Sequence, residues 1–236
     1  MALAVEVAVS RLFEENCWIV WRTEEPVDAA SSASKRPCVV VDPGFDTAKI
    51  LRVVEQRGLV VEAILLTHGH ADHIAGVRAV KQAWPNAPIV IGRNEAVMLS
   101  DPELNLSALG GMPVTAPPAD DLVAEGDSRR FAGLTFDVLD IPGHSPGHIV
   151  FVCRDSEPTV VLGGDVLFAG SIGRTDFPGG SLKQLLEGIR GKLFTLPEAT
   201  RVYPGHGPAT TVGQERRANP YCGERALPQF IDDEID

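Results

Sequence analysis

The sequence predicts an α/β fold in which sheets carry helices on their outer sides. Three observations point there. Short apolar or alternating runs dominate the first and middle parts of the chain. Amphipathic stretches of helical period lie between them, which suits sheets covered by helices and not a bundle. A length of 236 residues is enough for one larger domain with a substantial core, and residues 1–236 read as a single domain.

Taken in chain order, the first strands are expected at Glu6–Leu12, Cys17–Trp21 and Cys38–Asp42, the last ended by Asp42-Pro43-Gly44. Glu24–Lys35, rich in Ser, Ala and acid, reads as a loop. Asp46 resembles the N-cap of a helix running to about Gln56. Glu62–Thr67 has a buried-strand pattern and leads into a histidine cluster and a helical stretch, Ile74–Trp84. Pro88–Ile91 is expected as a strand and Glu95–Leu99 as a short helix, while Asp101–Asp120 is dominated by turn formers. Later strands are expected at Thr135–Leu139, His148–Cys153, Thr159–Leu162 and Arg201–Tyr203, with helices at Leu182–Leu193 and from about Gly213. The pattern alone does not fix the topology.

Composition excludes some classes. The formal net charge is −11, so a nucleic acid is not an expected partner, because its phosphates must be neutralised by Lys and Arg. No run approaches ~20 apolar residues, so no membrane span is expected. The start, MALAVEVAVSRLFEENCW, alternates in a strand-like way and lacks the basic and apolar regions of a secretory signal, which makes the cytoplasm the expected compartment. Cys17, Cys38, Cys153 and Cys222 show no C-x-x-C spacing and are expected as reduced, buried thiols.

The six histidines carry the chemistry. His68, His70, His73, His144, His148 and His206 all sit in Gly- or Pro-rich turns that follow apolar strand-like runs: ILLTHGHADH, LDIPGHSPGH and RVYPGHG. Loops held at strand ends by a rigid scaffold are where function concentrates. In an extended segment His68 and His70 project to the same side and can share one ion. Asp72 and His73, one step further on as the chain bends into a helix, aim elsewhere and suit a second ion. Imidazole and carboxylate ligands favour Zn, Fe, Mn or Co. His144 and His206 have the same turn context and read as ligands. Asp165, which ends the apolar run VVLGGD, can bridge two cations through its two oxygens. His148 would exceed what two ions need, so it is expected to support the ligands. Arg174-Thr175-Asp176 reads equally as a structural ion-pair turn or as a shell around the metals, with Arg174 a candidate for gripping substrate. Asp42 and Thr67 could orient ligands by hydrogen bonds, although a turn explains Asp42 before Pro-Gly.

The order THGHADH, GHSPGH, GGD and PGHG resembles the metallo-β-lactamase superfamily in its glyoxalase II-like branch. The resemblance runs from ENCWIV and VVDPG through GRTDFPGGS to TTVGQERRANPY. It implies a four-layer αβ/βα sandwich of two mixed sheets with the metals at one edge. It further implies that His68, His70 and His144 hold one divalent ion and Asp72, His73 and His206 a second, with Asp165 bridging and Asp72 a further candidate as proton acceptor. Zinc is the first expectation for both ions, with iron or manganese as alternatives. Only thirty residues follow His206, too few for the helical domain of ~50 residues or more that helps glyoxalase II proper to bind glutathione, so a short form is expected.

Two such cations would lower the pKa of a water between them from ~15.7 toward neutrality, which is hydrolytic chemistry. A thiol of pKa ~8.5 leaves without a strong general acid. The expected partner is therefore a small-molecule thioester such as S-D-lactoylglutathione. Persulfide dioxygenases share the scaffold and resemble the GRTDF segment; their single iron would sit here on His68, His144 and Asp165. Lactone hydrolysis is a third reading, while β-lactam hydrolysis is disfavoured by the strand-like start. A binding module without activity would not need the complete ligand set.

Overall fold

Alternation along the strands decides the architecture. The computed structural model describes residues 3–23, 35–227 and 230. In β3 (Arg36–Val41), Cys38 and Val40 face one apolar layer while Val39 and Val41 face another. In β4 (Leu59–Leu66), Ile64 and Leu66 follow the first pattern and Ala63 and Leu65 the second. Successive side chains of a strand point to opposite faces, so strands apolar on both sides must be covered on both sides. The same holds in β9 (Ile149–Cys153), where Ile149, Phe151 and Cys153 face inward and Val150 and Val152 outward.

Two six-stranded sheets result. The first is ordered β1-β2-β3-β4-β5-β6, adding β1 (Leu3–Val9), β2 (Asn16–Arg22), β5 (Ile89–Gly92) and β6 (Asp121–Val123). The second is ordered β14-β13-β10-β9-β8-β7, with β7 (Ser128–Phe131), β8 (Leu134–Asp140), β10 (Val160–Gly164), β13 (Arg201–Pro204) and β14 (Thr210–Thr211). A small hairpin joins β11 (Leu167–Phe168) to β12 (Ser171–Ile172). Trp18, Val20, Phe136, Val138 and Phe151 pack in the layer between the large sheets. On the outer face of the first sheet, α1 (Thr47–Gln56) buries Ile50 and Val54, and α3 (Val77–Ala83) buries Val77 and Val80. On the outer face of the second, α4 (Leu182–Gly191) buries Leu185, Leu186 and Ile189, and α5 (Val212–Ala218) buries Val212. The order of layers is helix, sheet, sheet, helix, as the sequence resemblance implied.

Several local expectations need correction. The first strand ends at Val9, not Leu12, because Phe13 and Glu14 take left-handed conformations (φ 69° and 54°) that turn the chain into β2. Asp46 precedes α1 without capping it, since its carboxylate accepts the Arg11 N–H at 2.6 Å instead. Helix begins inside the histidine cluster, as α2 (Ala71–Ile74), and breaks before α3. Gly76 donates to the Pro43 carbonyl at 2.7 Å at the break, where a Cβ would meet the Gly44 carbonyl oxygen. The short helix expected at Glu95–Leu99 is a 3-10 turn, Ala96–Leu99. Within Asp101–Asp120, buried Asn105 donates to the Met98 and Val114 carbonyls and accepts from Ser107, fastening the loop. The expected loop at Glu24–Lys35 lies outside the described residues apart from Lys35. All four cysteines are free and buried. No helix among the described residues is long and apolar enough to cross a membrane.

This topology positions the site. β3 runs parallel to β4, and β10 parallel to β13, so the C-terminal ends of each pair lie together. Phe151 is fully buried between the sheets. Phe151→Ala is expected to destabilise the protein by about 3–5 kcal/mol in urea unfolding, as cavity-forming substitutions of buried Phe do.

Candidate metal centre

Strand ends deliver every candidate ligand to one place. His68 and His70 follow β4, Asp72 and His73 lie in α2, and His144 and His148 lie in the turn from β8 to β9. Asp165 follows β10 and His206 follows β13. Two groups form whose ligand atoms lie within 4.8 Å of one another: His68, His70 and His144, and Asp72, His73 and His206. Asp165 stands between them. Its Oδ1 lies 3.5 Å from His73 Nε2, and its Oδ2 lies 3.5 Å from both His144 Nε2 and His206 Nε2. A third grouping, Asp42 with His68 and His73, shares members with both.

Three atoms turned toward the centre have no partner. His68 Nε2, His73 Nε2 and Asp165 Oδ1 are buried and make no hydrogen bond. Such orphans are costly, and a cation would satisfy all three. The opposite ring nitrogens are tied down. His68 Nδ1 meets the Thr67 hydroxyl at 3.1 Å, and that hydroxyl donates to Asp42 at 2.7 Å. His73 Nδ1 meets Asp42 Oδ2 at 3.2 Å. His144 Nδ1 donates to the Arg174 carbonyl at 2.9 Å, and His206 Nδ1 to the Phe13 carbonyl at 3.0 Å. Tethers of this kind fix the tautomer and leave Nε2 free to bind metal. His70 presents Nδ1, which faces His144 Nε2 at 2.9 Å.

The two groups differ electrostatically. Burial pushes His68 well below the usual imidazole range, His70 down to about 3, and His144 down as well, so this group is neutral at pH 7. Neutral imidazole is the form a metal takes. At His73 burial also acts downward, but Asp165 and Asp72 outweigh it and hold the ring well above its ordinary value. His206 is raised in the same sense, chiefly by its bond to Asp72 against the pull of burial. That side is built to hold positive charge. Burial raises the Asp72 carboxyl, yet His73 and His206 outweigh burial and leave it lowered. Asp165 is lowered far below the carboxylate range for a like reason, His73 overcoming the cost of burial.

Two buried acids, Glu95 and Glu15, escaped the sequence reading, whereas Asp42 stood there as a candidate to orient the ligands by hydrogen bonds. Glu95 is fully buried, and its carboxylate accepts from Gly69 N at 2.9 Å, from the Ser145 hydroxyl at 2.9 Å and from Gly147 N at 2.6 Å. It thus clamps the His68–His70 loop to the His144 loop. Asp42, which a turn would explain, also accepts the Thr67 N–H and so serves both groups. Glu15 places a fully buried carboxyl against Gly44, and burial pushes it well above the usual range. Neither Glu95, in GRNEAV, nor Glu15, in FEENCW, stands in an apolar setting that would flag it. His148 accepts the Asp165 N–H at 3.0 Å and stacks on His68. Gly164 must be glycine for close approach: at φ 48°, a Cβ would collide with Thr67 Oγ1 and His148 Nε2. Asp176 reaches the centre only through Arg174, whose guanidinium it grips at the surface.

A cleft of about 550 Å³ opens from this centre, with Phe13, Phe45, Leu109, Met112, Phe168 and Phe177 among its walls. A two-sheet sandwich with His and Asp ligands gathered at one edge defines a metal-dependent enzyme. Residues 14–206 match the Metallo-beta-lactamase superfamily, and the chain belongs to that superfamily. It is 45% identical over 192 residues to a probable metallo-hydrolase, YqgX, of Bacillus subtilis, covering 80% of this chain and 89% of the relative. It is 33% identical over 225 residues to hydroxyacylglutathione hydrolase GloC of Haemophilus influenzae, covering 94% and 99%. Among solved structures, TTHA1623 in a di-iron-bound form is similar at 35% identity with a TM-score of 0.76, covering 92% of this chain and 100% of that one.

Glu95→Gln would set an amide N–H against either the Gly69 N–H or the donors of the other loop. It is expected to weaken metal retention about 10- to 100-fold in chelator competition, with the far-UV circular dichroism spectrum unchanged.

Proposed function

We propose that this protein is a binuclear metallohydrolase that cleaves S-acyl thioesters, S-D-lactoylglutathione or a related S-acyl thiol. The observation that carries this reading is the pairing of two complete ligand groups across one carboxylate, Asp165, at the floor of a cleft. His68, His70 and His144 would hold one divalent ion, and Asp72, His73 and His206 the other, with Asp165 shared. When bound, the ions supply an acidified water and polarise the scissile carbonyl. Zinc is the metal we favour; the di-iron form of the similar structure keeps iron as an alternative, with manganese.

The chain's own residues do the rest. Asp42, Thr67, His148 and the Phe13 and Arg174 carbonyls keep the ligands aimed, so no reorganisation is needed during reaction. In the net reaction water oxygen bonds to the acyl carbon and the C–S bond breaks with its electron pair leaving on sulfur. The acid ionises, one proton passing to the thiol and one to solvent. No histidine is left over to protonate the leaving group, and a thiolate needs none.

A single-iron oxidation at His68, His144 and Asp165 is the rival. It gives no role to Asp72, His73 and His206, whose geometry is as complete as that of the first group. Elemental analysis of protein purified without added metal is expected to give close to two metals per chain; one iron with oxygen consumption would favour the rival. Metal-loaded protein is expected to hydrolyse S-D-lactoylglutathione or another thioester, with His70→Ala at background. Activity on lactones or a β-lactam alone, or no excess over His70→Ala on any thioester, would overturn the proposal.

A further inference from the structure

Given thioester hydrolysis, on which the inference below depends, the walls of the cleft bear on which thioester is used. Glutathione carries two carboxylates and an ammonium group, and desolvating them requires opposite charges in the site. Among the described residues lining the cleft, Arg174 is the one Lys or Arg side chain. Its guanidinium is paired at the surface. It donates to both Asp176 oxygens at 2.7 and 2.6 Å and lies 4.1 Å over the Phe177 ring. Arg11, near the Phe13 and Phe45 wall, is paired with Asp46. Residues 1–2, 24–34, 228–229 and 231–236 contain no Lys or Arg that could supply a missing cation.

What the cleft does offer is apolar surface. Phe13 and Phe45 pack with tilted rings, centroids 5.7 Å apart, along one side, and Leu109 and Met112 project from the loop held by Asn105 and Ser107 on another. Phe13, Leu109 and Met112 are exposed, Leu109 by 79%. Exposed large apolar groups around a concave site gain from covering an apolar ligand, and a cleft of this volume is the size of a small-molecule site.

We infer that the preferred substrate is a thioester flanked by an apolar, uncharged group of several carbons, and not a thioester of an anionic peptide thiol such as glutathione. Each methylene buried against these walls is worth up to about fourfold in kcat/KM. Metal-loaded protein is assayed on acetyl- and hexanoyl-N-acetylcysteamine, on S-hexyl thioacetate and on S-D-lactoylglutathione. The expected result is a kcat/KM at least about tenfold higher for a six-carbon compound than for acetyl-N-acetylcysteamine, and higher also than for S-D-lactoylglutathione. The better of the two six-carbon compounds tells whether the chain lies on the acyl or the thiol side; either supports the inference. Leu109→Ser with Met112→Ser, both outside the core, should flatten this chain-length dependence about fivefold or more.

A second measurement is independent of turnover. In calorimetry with the protein as purified, S-hexyl-N-acetylcysteamine is expected to bind at least as tightly as S-hexylglutathione. Tighter binding of the glutathione thioether, or preferred hydrolysis of S-D-lactoylglutathione, would overturn the inference and leave thioester hydrolysis standing. Failure to hydrolyse any thioester would overturn both.

Discussion

Two loops bearing lone pairs must be held within a few ångströms of each other, and the buried carboxylate of Glu95 is what holds them. His70 and His144 present ring nitrogens to each other at 2.9 Å, while burial keeps both rings neutral. Without a tie, each loop would relax toward solvent. Glu95 gives its two oxygens to donors from both loops, and these three hydrogen bonds offset part of the cost of burying a charge, which still leaves the carboxyl raised. Around this tie the sandwich supplies strand ends, and the strand ends supply the remaining ligands.

The centre is asymmetric by construction. One half consists of imidazoles that burial keeps deprotonated; the other surrounds an imidazole with carboxylates that draw positive charge inward. Asp165 belongs to both halves because the bend after Gly164 brings its carboxylate between His73, His144 and His206. The His148 ring holds that bend through the Asp165 N–H. The chemistry of the site therefore depends on the packing of a glycine against Thr67 and His148 as much as on the ligands themselves.

Much of this was legible in the sequence. Apolar runs located the central strands because strands covered on both faces must be apolar throughout, and the histidine turns stood out because each followed such a run. The strands β6, β7, β11, β12 and β14 were not legible. Four of them are two or three residues long, and Ser128–Phe131 carries two arginines, so no hydrophobic period could develop. Glu95 and Glu15 were missed for a different reason. An acid's burial is set by residues far away in sequence, as when Glu95 meets Ser145 and Gly147 fifty residues on. Asp42 was legible as a turn residue, which it is, with a φ of 49°, and as a candidate to orient ligands; which bonds it makes, to Thr67 and His73, depends on β3 lying beside β4.

Two of the tethers on the histidines come from main-chain carbonyls, those of Phe13 and Arg174. Both residues also line the cleft with their side chains. The backbone faces the ligands and the side chain faces whatever enters, so the two can change separately. Exchange of either side chain alters the lining of the entrance without removing the oxygen that aims His144 or His206. Selection can therefore redraw what the enzyme accepts while the inherited reaction centre stays fixed, which gives this scaffold a ready route to new substrates.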